Sequence, residues 1–123
     1  MNTNKKGNIG LGSAIAHFTS KGLIVSLPLN DSQDYDLIVD MGGTLNKVQV
    51  KYTSQKAPSG SYILAMRSTS GTSRVAYKTL NETNIDLVFV YTDQYQLLIP
   101  IKKLTNKNQT TLTKELVQEF RVI

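Results

Sequence analysis

The chain has 123 residues, a length that suits a single folded domain over residues 1–123. Its hydrophobic content of 40% is ordinary for a folded protein, and the absence of cysteine excludes disulfides and thiolate metal sites. The 14 Lys and Arg outnumber the 9 Asp and Glu, and the formal charge of +5 favours a polyanionic partner such as nucleic acid.

The sequence predicts no membrane association. It contains no apolar run near the roughly 20 residues that span a bilayer. Its first ten residues, MNTNKKGNIG, lack the apolar middle region of a secretory signal. We therefore expect a cytoplasmic protein.

The first predicted element is an amphipathic helix over residues 8–21. Its apolar stripe, at helical spacing, consists of Leu11, Ala14, Ile15 and Phe18. Gly22 follows directly, where many helices end in the left-handed conformation. Because Gly10 and Gly12 are poor helix formers, the start of this helix is predicted to be weak.

Several strands and a second helix follow. The predicted strands cover 23–29, 36–40, 45–52, 61–67, 73–79, 85–92 and 95–101. Pro28 favours a sheet edge for the first strand. The continuous apolar run IDLVFVYT predicts a strand that is covered on both faces. The second helix, at 112–120, carries an apolar side made of Leu112, Leu116, Val117 and Phe120.

This order of elements predicts an α/β fold. The sheet is expected to be mixed and mostly antiparallel, with helices flanking it. Two of the hairpins matter for function. One joins 36–40 to 45–52, and the other joins 61–67 to 73–79 around the turn STSGT.

The first hairpin carries a polar cluster. Alternate strand residues point to opposite faces, so Asp36, Gln49 and Lys51 share the face opposite the apolar residues. A four-residue connection sets Asp36 opposite Gln49, with Cβ atoms about 5 Å apart. Two interpretations remain open. One is a solvated face whose Asp–Lys pair contributes about 0–1 kcal/mol. The other is a magnesium-dependent phosphodiesterase site.

In the second interpretation each residue has a chemical role. Mg²⁺ prefers oxygen ligands. The Asp36 carboxylate, the Gln49 amide oxygen and the neighbouring backbone carbonyl of Val50 would supply them. Lys51 would position the attacking water and offset the phosphate charge.

The same residues carry a family resemblance. Tyr35-Asp36 and Gln49-Val50-Lys51 match the two elements of the PD-(D/E)xK motif, with Tyr in place of Pro and Gln in place of the second acid. The chain resembles the PD-(D/E)xK nuclease superfamily, especially its small branch that includes a group I intron-encoded homing endonuclease. The segments KGNIG, DYDLIVD, VQVKY, IDLVFVY and YQLLIPI extend the resemblance over nearly the whole chain.

The resemblance implies a restriction-endonuclease-like fold and Mg²⁺-dependent, site-specific cleavage of double-stranded DNA. It assigns catalytic roles to Asp36, Gln49 and Lys51. The chain departs from the branch in two places. The hairpin at 61–79 occupies the stretch where a middle helix is often found, and Leu11 stands where the branch continues Ile-Gly-Glu.

Leu11 therefore occupies the expected position of a catalytic glutamate. Leucine cannot bind metal, so we expect the chain to bind DNA and to cleave it slowly or not at all. Three explanations remain open. Leu11 is an ordinary core residue on the apolar stripe, a natural loss of the glutamate, or a deliberate inactivating substitution.

The second hairpin is the predicted DNA-contacting element, because a two-stranded ribbon fits the major groove, where Arg reads guanine. The candidate DNA-binding residues are Arg67, Ser70, Thr72, Arg74 and Lys78, together with Lys56. The alternative is an ordinary solvent-facing turn. A second basic set that could contact phosphates or form a solvated edge consists of Lys102, Lys103, Lys107 and Lys114.

The expected assembly follows from size. One small domain has one candidate active site and a double-strand break needs two cuts, so we expect a homodimer or homotetramer. The sequence leaves two other functions open: a non-catalytic DNA-binding member of the same fold, and a Holliday-junction resolvase or repair nuclease. His17, the only histidine, is not expected to act as a base.

Overall fold

The protein is described here by a computed structural model, which covers residues 2–30, 33–68, 78–80, 83–105 and 108–123. Its helices are α1 (Thr3–Ser20) and α2 (Lys114–Phe120). The described strands are β1 (Ile24–Ser26), β2 (Leu37–Met41), β3 (Thr44–Tyr52), β4 (Ile63–Ala65), β5 (Arg67–Ser68), β6 (Lys78–Thr79), β7 (Leu87–Tyr91), β8 (Gln96–Pro100) and β9 (Gln109–Thr111). A 3₁₀ turn, Ile101–Lys103, follows β8.

The central sheet has five strands in the order β1-β2-β3-β7-β8. Only the β3–β7 pair is parallel, which confirms a mixed, mostly antiparallel sheet. β2 and β3 form the predicted hairpin, with Asp40 opposite Leu45. Its turn consists of Gly42 and Gly43 at φ angles of 61° and 89°, as a two-residue hairpin turn requires.

Both faces of the sheet are covered. On one face α1 contributes Phe18 to an apolar cluster that includes Val48 and Phe89. On the other face Val88 and Val90 pack in a second cluster with residues of β4, β8 and the segment before α2. Val88, Phe89 and Val90 are all fully buried. This confirms the prediction that the apolar run IDLVFVYT forms a strand covered on both sides.

Helix α1 starts earlier than its sequence predicts. Its first residue is Thr3, because the side chain of Asn2 accepts a hydrogen bond from the Lys5 N–H at 2.9 Å and caps the helix. The expectation of a weak start near Gly10 was therefore wrong. The predicted stop is confirmed, since Gly22 follows the helix at a φ of 77°.

Gly10 lies where α1 crosses the sheet. A Cβ atom at this position would approach the Val50 Cγ1 atom to 3.2 Å, with the Cβ atoms of Tyr91 and Tyr52 just beyond, at 3.8 and 3.9 Å. The glycine therefore lets the helix pack unusually close to β3 and β7, directly over the strand that carries the candidate catalytic residues.

This close approach predicts a stability difference within one helix. Gly10→Val forces branched methyl groups into the contact with Val50, and we expect a loss of about 1–3 kcal/mol in the free energy of unfolding. Gly12→Val is the matched control, because a Cβ there meets nothing within 4 Å. Urea denaturation of both variants measures the difference. Equal stabilities would mean that the helix does not rest on the sheet at Gly10.

The second predicted hairpin is confirmed only at its base. There β5 pairs with β6, with Arg67 opposite Thr79. The rest of the predicted strand 61–67 behaves differently, because β4 pairs with β9. Strand β9 was missed because Gln-Thr-Thr offers no apolar alternation, and only its central residue, Thr110, is buried. The hairpin residues Ser70, Thr72 and Arg74 lie outside the described part of the chain.

The remaining predictions hold with shorter bounds. β1 is an edge strand, as Pro28 indicated. α2 begins at Lys114 because the side chain of Thr113 caps it, so the buried Leu112 precedes the helix. Among the described residues, no helix combines the length and apolar character needed to cross a membrane.

Candidate active site

The site is built where β2 separates from β3. Pairing of the two strands ends at Leu37 and Val48, and Asp36 is the residue just before β2. Its backbone N–H donates to the Val48 carbonyl at 2.8 Å. Its carboxylate oxygen Oδ2 accepts the backbone N–H of Val50 at 2.7 Å. The Asp36 carboxylate thus accepts a hydrogen bond from Val50 that a backbone carbonyl of the neighbouring strand would otherwise accept. It lies in the gap between the two strands.

Carboxylate and backbone carbonyl oxygens border this gap. The N–H and C=O of a residue in an extended strand point to the same edge, so the Val50 carbonyl faces the side on which its N–H meets Asp36. Gln49 precedes it and is half-buried. Within the described residues, neither the Gln49 amide nor the second carboxylate oxygen of Asp36 makes a hydrogen bond. These oxygens are available to a cation.

Lys51 joins the site to the second hairpin. It pairs in register with the buried Val90, so its side chain points into the face that carries the second apolar cluster. Its ammonium donates to the backbone carbonyl of Arg67 at 2.6 Å. The candidate catalytic lysine is therefore held by the first residue of β5, at the base of the candidate DNA-contacting ribbon.

The charges of Asp36 and Lys51 are partly desolvated. Burial raises the pKa of Asp36, while the Val50 N–H and the Lys51 charge act in the opposite direction. Burial likewise lowers the pKa of Lys51, against the effect of Asp36. The contribution of Asp36 to stability is fully present below its unfolded pKa and is lost as the pH rises through the raised folded pKa. The contribution of Lys51 is fully present above its unfolded pKa and is lost as the pH falls through the lowered folded pKa. Burial therefore makes the charged form of each group less favourable in the folded protein, a property common at functional sites.

Position 11 lies on the turn of α1 that crosses β3. Its neighbour Gly10 abuts Val50, and Leu11 itself is half-buried against the apolar cluster beneath the helix. The leucine therefore takes part in core packing and supplies no ligand. Leu11 is thus packed against the core, and its neighbour Gly10 lies against Val50, whose N–H binds Asp36.

The possible ligands fit a magnesium ion, although only one of them is a carboxylate. Within the described residues, no group of three or more His, Cys, Asp or Glu side chains is arranged to hold a metal. The gap offers the Asp36 carboxylate and the Val50 carbonyl, and Gln49 is the residue that precedes Val50. Mg²⁺ commonly binds one or two carboxylates and completes its shell with substrate phosphates and water. The site fits a magnesium ion that binds together with DNA.

The candidate DNA-binding residues are placed unevenly. Arg67 is exposed in β5, and Lys78 belongs to β6, where it pairs with Ser68. Lys56 is exposed in the connection after β3, and its ammonium lies 4.9 Å from the centre of the Tyr62 ring. The structure therefore brings Arg67 and Lys78 to one ribbon and sets Lys56 apart from it.

A basic cleft beside Lys51 was missed by the sequence reasoning. It has a volume of about 270 Å³ and includes Lys6 of α1 and Tyr52 of β3 in its lining. The signal was present in the sequence, because Lys6 stands one helical turn before Gly10 and so shares the face that approaches the sheet. This signal could not be recognised, because the helix was predicted to begin at residue 8 and Lys6 lay outside it.

Comparisons with known proteins agree with the fold. A family model described as PD-(D/E)XK endonuclease matches residues 1–119. The solved structure of the bacterial homing endonuclease I-Ssp6803I is similar, with a TM-score of 0.81 and 25% sequence identity. That alignment covers 98% of this chain and 89% of the other. No match is found among curated proteins. The chain belongs to the PD-(D/E)XK endonuclease family.

Proposed function

We propose that the protein is a site-specific DNA endonuclease of the homing type that uses Mg²⁺. The observation that carries the proposal is the contact at 2.7 Å between the Asp36 carboxylate and the Val50 N–H, beside the desolvated Lys51. Family membership, the similarity to a bacterial homing endonuclease and the charge of +5 support it.

The roles of the residues follow from their positions. Asp36, the Gln49 amide oxygen and the Val50 carbonyl would hold the metal. The Val50 N–H keeps the Asp36 carboxylate oriented toward the gap. The ammonium of Lys51 is a donor and a positive charge, which suits it to orient the attacking water and to stabilise the charge that develops on the phosphate.

The reaction is hydrolysis of a phosphodiester bond. The water oxygen forms a new bond to phosphorus, one ester P–O bond breaks, and the leaving oxygen gains a proton. Bound Mg²⁺ supplies charge neutralisation at the phosphate and a more acidic water. Lys51 can exchange its present acceptor, the Arg67 carbonyl, for water or phosphate when DNA enters.

DNA recognition is assigned to the ribbon that starts at β5 and β6. Arg67 lies on the first strand and Lys78 on the second, and the segment between them carries Ser70, Thr72 and Arg74. A two-stranded ribbon can enter the major groove, where Arg recognises the O6 and N7 atoms of guanine. Lys56, away from the ribbon, would contact the DNA backbone.

A second candidate function is DNA binding without cleavage. Leu11 favours it, because the resemblance implies a glutamate there and leucine contributes packing in its place. In that case the ribbon and the basic surface would retain their role, and the Asp36 site would bind metal too weakly to act.

One experiment separates the candidates. A cleavage selection on a randomised duplex library is run with Mg²⁺, using the chain with Leu11 and the Leu11→Glu variant. Recovery of a defined cut sequence with either chain supports the endonuclease. Saturable binding of a defined duplex with no cutting by either chain supports the binding protein. Preferential cutting of a four-way junction over any duplex would instead identify a junction-resolving nuclease.

We also propose that the protein acts as a homodimer or homotetramer. Large apolar side chains are exposed on the part of the sheet around Asp40 of β2: Ile24 of β1 is 67% exposed and Leu45 of β3 is 65% exposed, and both lie opposite Asp40. Light scattering should give at least twice the monomer mass of 13.6 kDa, free or on DNA. A monomer under both conditions would refute this proposal.

A further inference from the structure

We propose that Lys6 binds a phosphate of the DNA backbone that lies next to the phosphate at which the DNA is cut. The site is the cleft next to Lys51, which runs from the end of β3 to β4 and includes Ser54 and Gln55 in its lining. The inference rests on the proposed function, because Lys51 marks the position of the reacting phosphate. It extends that function to a second phosphate and to a residue of α1.

Lys6 is held over this cleft by aromatic packing. Its ammonium lies 5.8 Å from the centre of the Tyr52 ring. Tyr52 in turn stacks on Tyr91, with ring centres 5.3 Å apart and planes inclined by 23°. Gly10 makes this possible, since it lets α1 approach the strands that carry both tyrosines. The ring faces attract the cation and restrict where it can lie.

The polar groups around the cleft are suited to an anion. Within the described part of the chain, Lys6 makes no ion pair, and the side chains of Ser54 and Gln55 make no hydrogen bond. None of the described residues that line the cleft is acidic. An ammonium, a hydroxyl and an amide thus remain available as donors beside Lys51. A phosphate oxygen accepts hydrogen bonds from all three kinds of group.

The test is the salt dependence of binding to a random-sequence duplex, measured by fluorescence anisotropy. A lost phosphate contact weakens binding to all sequences alike and makes the slope of log K against log salt shallower by about 0.9. We expect this change for Lys6→Ala and a retained slope for Lys6→Arg. The matched control is Lys5→Ala, because Lys5 is its exposed neighbour and does not line the cleft.

A second measurement needs no variant. Lysine acetylation of the unsubstituted chain, followed by mass spectrometry, should show that the duplex protects Lys6 and Lys51 and leaves Lys5 reactive. Unchanged reactivity of Lys6 on DNA, or equal slopes for Lys6→Ala and the unsubstituted chain, would overturn this inference alone. Failure of the unsubstituted chain to bind any duplex at low salt would overturn the proposed function together with it.

Discussion

Leu11→Glu should raise the rate of DNA cleavage by about 10²-fold or more. Removing one group that stabilises a transition state commonly costs 10²–10³ in rate, and the glutamate would supply a second anionic ligand beside Asp36. Position 11 lies on the helix turn that crosses Val50, which is next to the gap that holds the Asp36 carboxylate. The measurement is single-turnover cleavage of a library-selected target with Mg²⁺.

Leu11→Gln is the matched control, because it has the size of the glutamate and lacks its charge. It should remain slow. DNA affinity should be similar in all three chains, since the groups that set it lie elsewhere. Leu11 is half-buried, so both variants should lose about 1–2 kcal/mol of stability. If the glutamate variant is destabilised and gains no activity, then Leu11 is a core residue and position 11 is outside the site. Fast cleavage by the chain with Leu11 would also contradict this assignment.

The second large effect is expected on DNA affinity. Joint replacement of Arg67 and Arg74 by alanine should weaken binding of the selected target by about 10²- to 10⁴-fold, because each bidentate contact to a base contributes about 1–3 kcal/mol. Lys51 should stay in place, since its acceptor is the backbone carbonyl of Arg67 and not the side chain. Fluorescence anisotropy with target and random duplexes measures both affinities.

Lys107→Ala serves as the control for this pair. A peripheral phosphate contact should mainly change the salt dependence and affect target and random DNA alike. The double variant should instead lose the preference for the target. If its affinity and its preference are unchanged, the ribbon does not read the DNA and recognition must be assigned to another surface.

The central sheet could be predicted from the sequence because its signals are local. The glycine pair at 42–43 fixes the hairpin turn, and the apolar run around Phe89 requires cover on both faces. The β4–β9 pair could not be predicted, because it joins distant segments and its second strand is polar. The true start of α1 was missed for a different reason. A single capping side chain, that of Asn2, outweighs the low helix propensity of Gly10.

Part of the candidate site could be predicted from the sequence. Strand alternation placed Gln49 and Lys51 on one face, and the register of the hairpin set Asp36 opposite Gln49. The sequence could not show that the Asp36 carboxylate replaces a backbone partner of Val50, because that depends on where two strands separate. It also could not show that Lys51 reaches the Arg67 carbonyl, since this contact depends on the packing of β5 against the sheet.

The most direct test of a metal-dependent site at Asp36 is the cleavage rate of Leu11→Glu with and without Asp36→Asn, measured across Mg²⁺ concentrations on the selected target. The asparagine keeps an oxygen for the Val50 N–H and removes the charge that would hold the ion. We predict that Asp36→Asn abolishes cleavage, that saturating Mg²⁺ does not restore it, and that the DNA remains bound. Cleavage by the Asp36→Asn chain at the rate of its parent would show that Asp36 holds no catalytic metal.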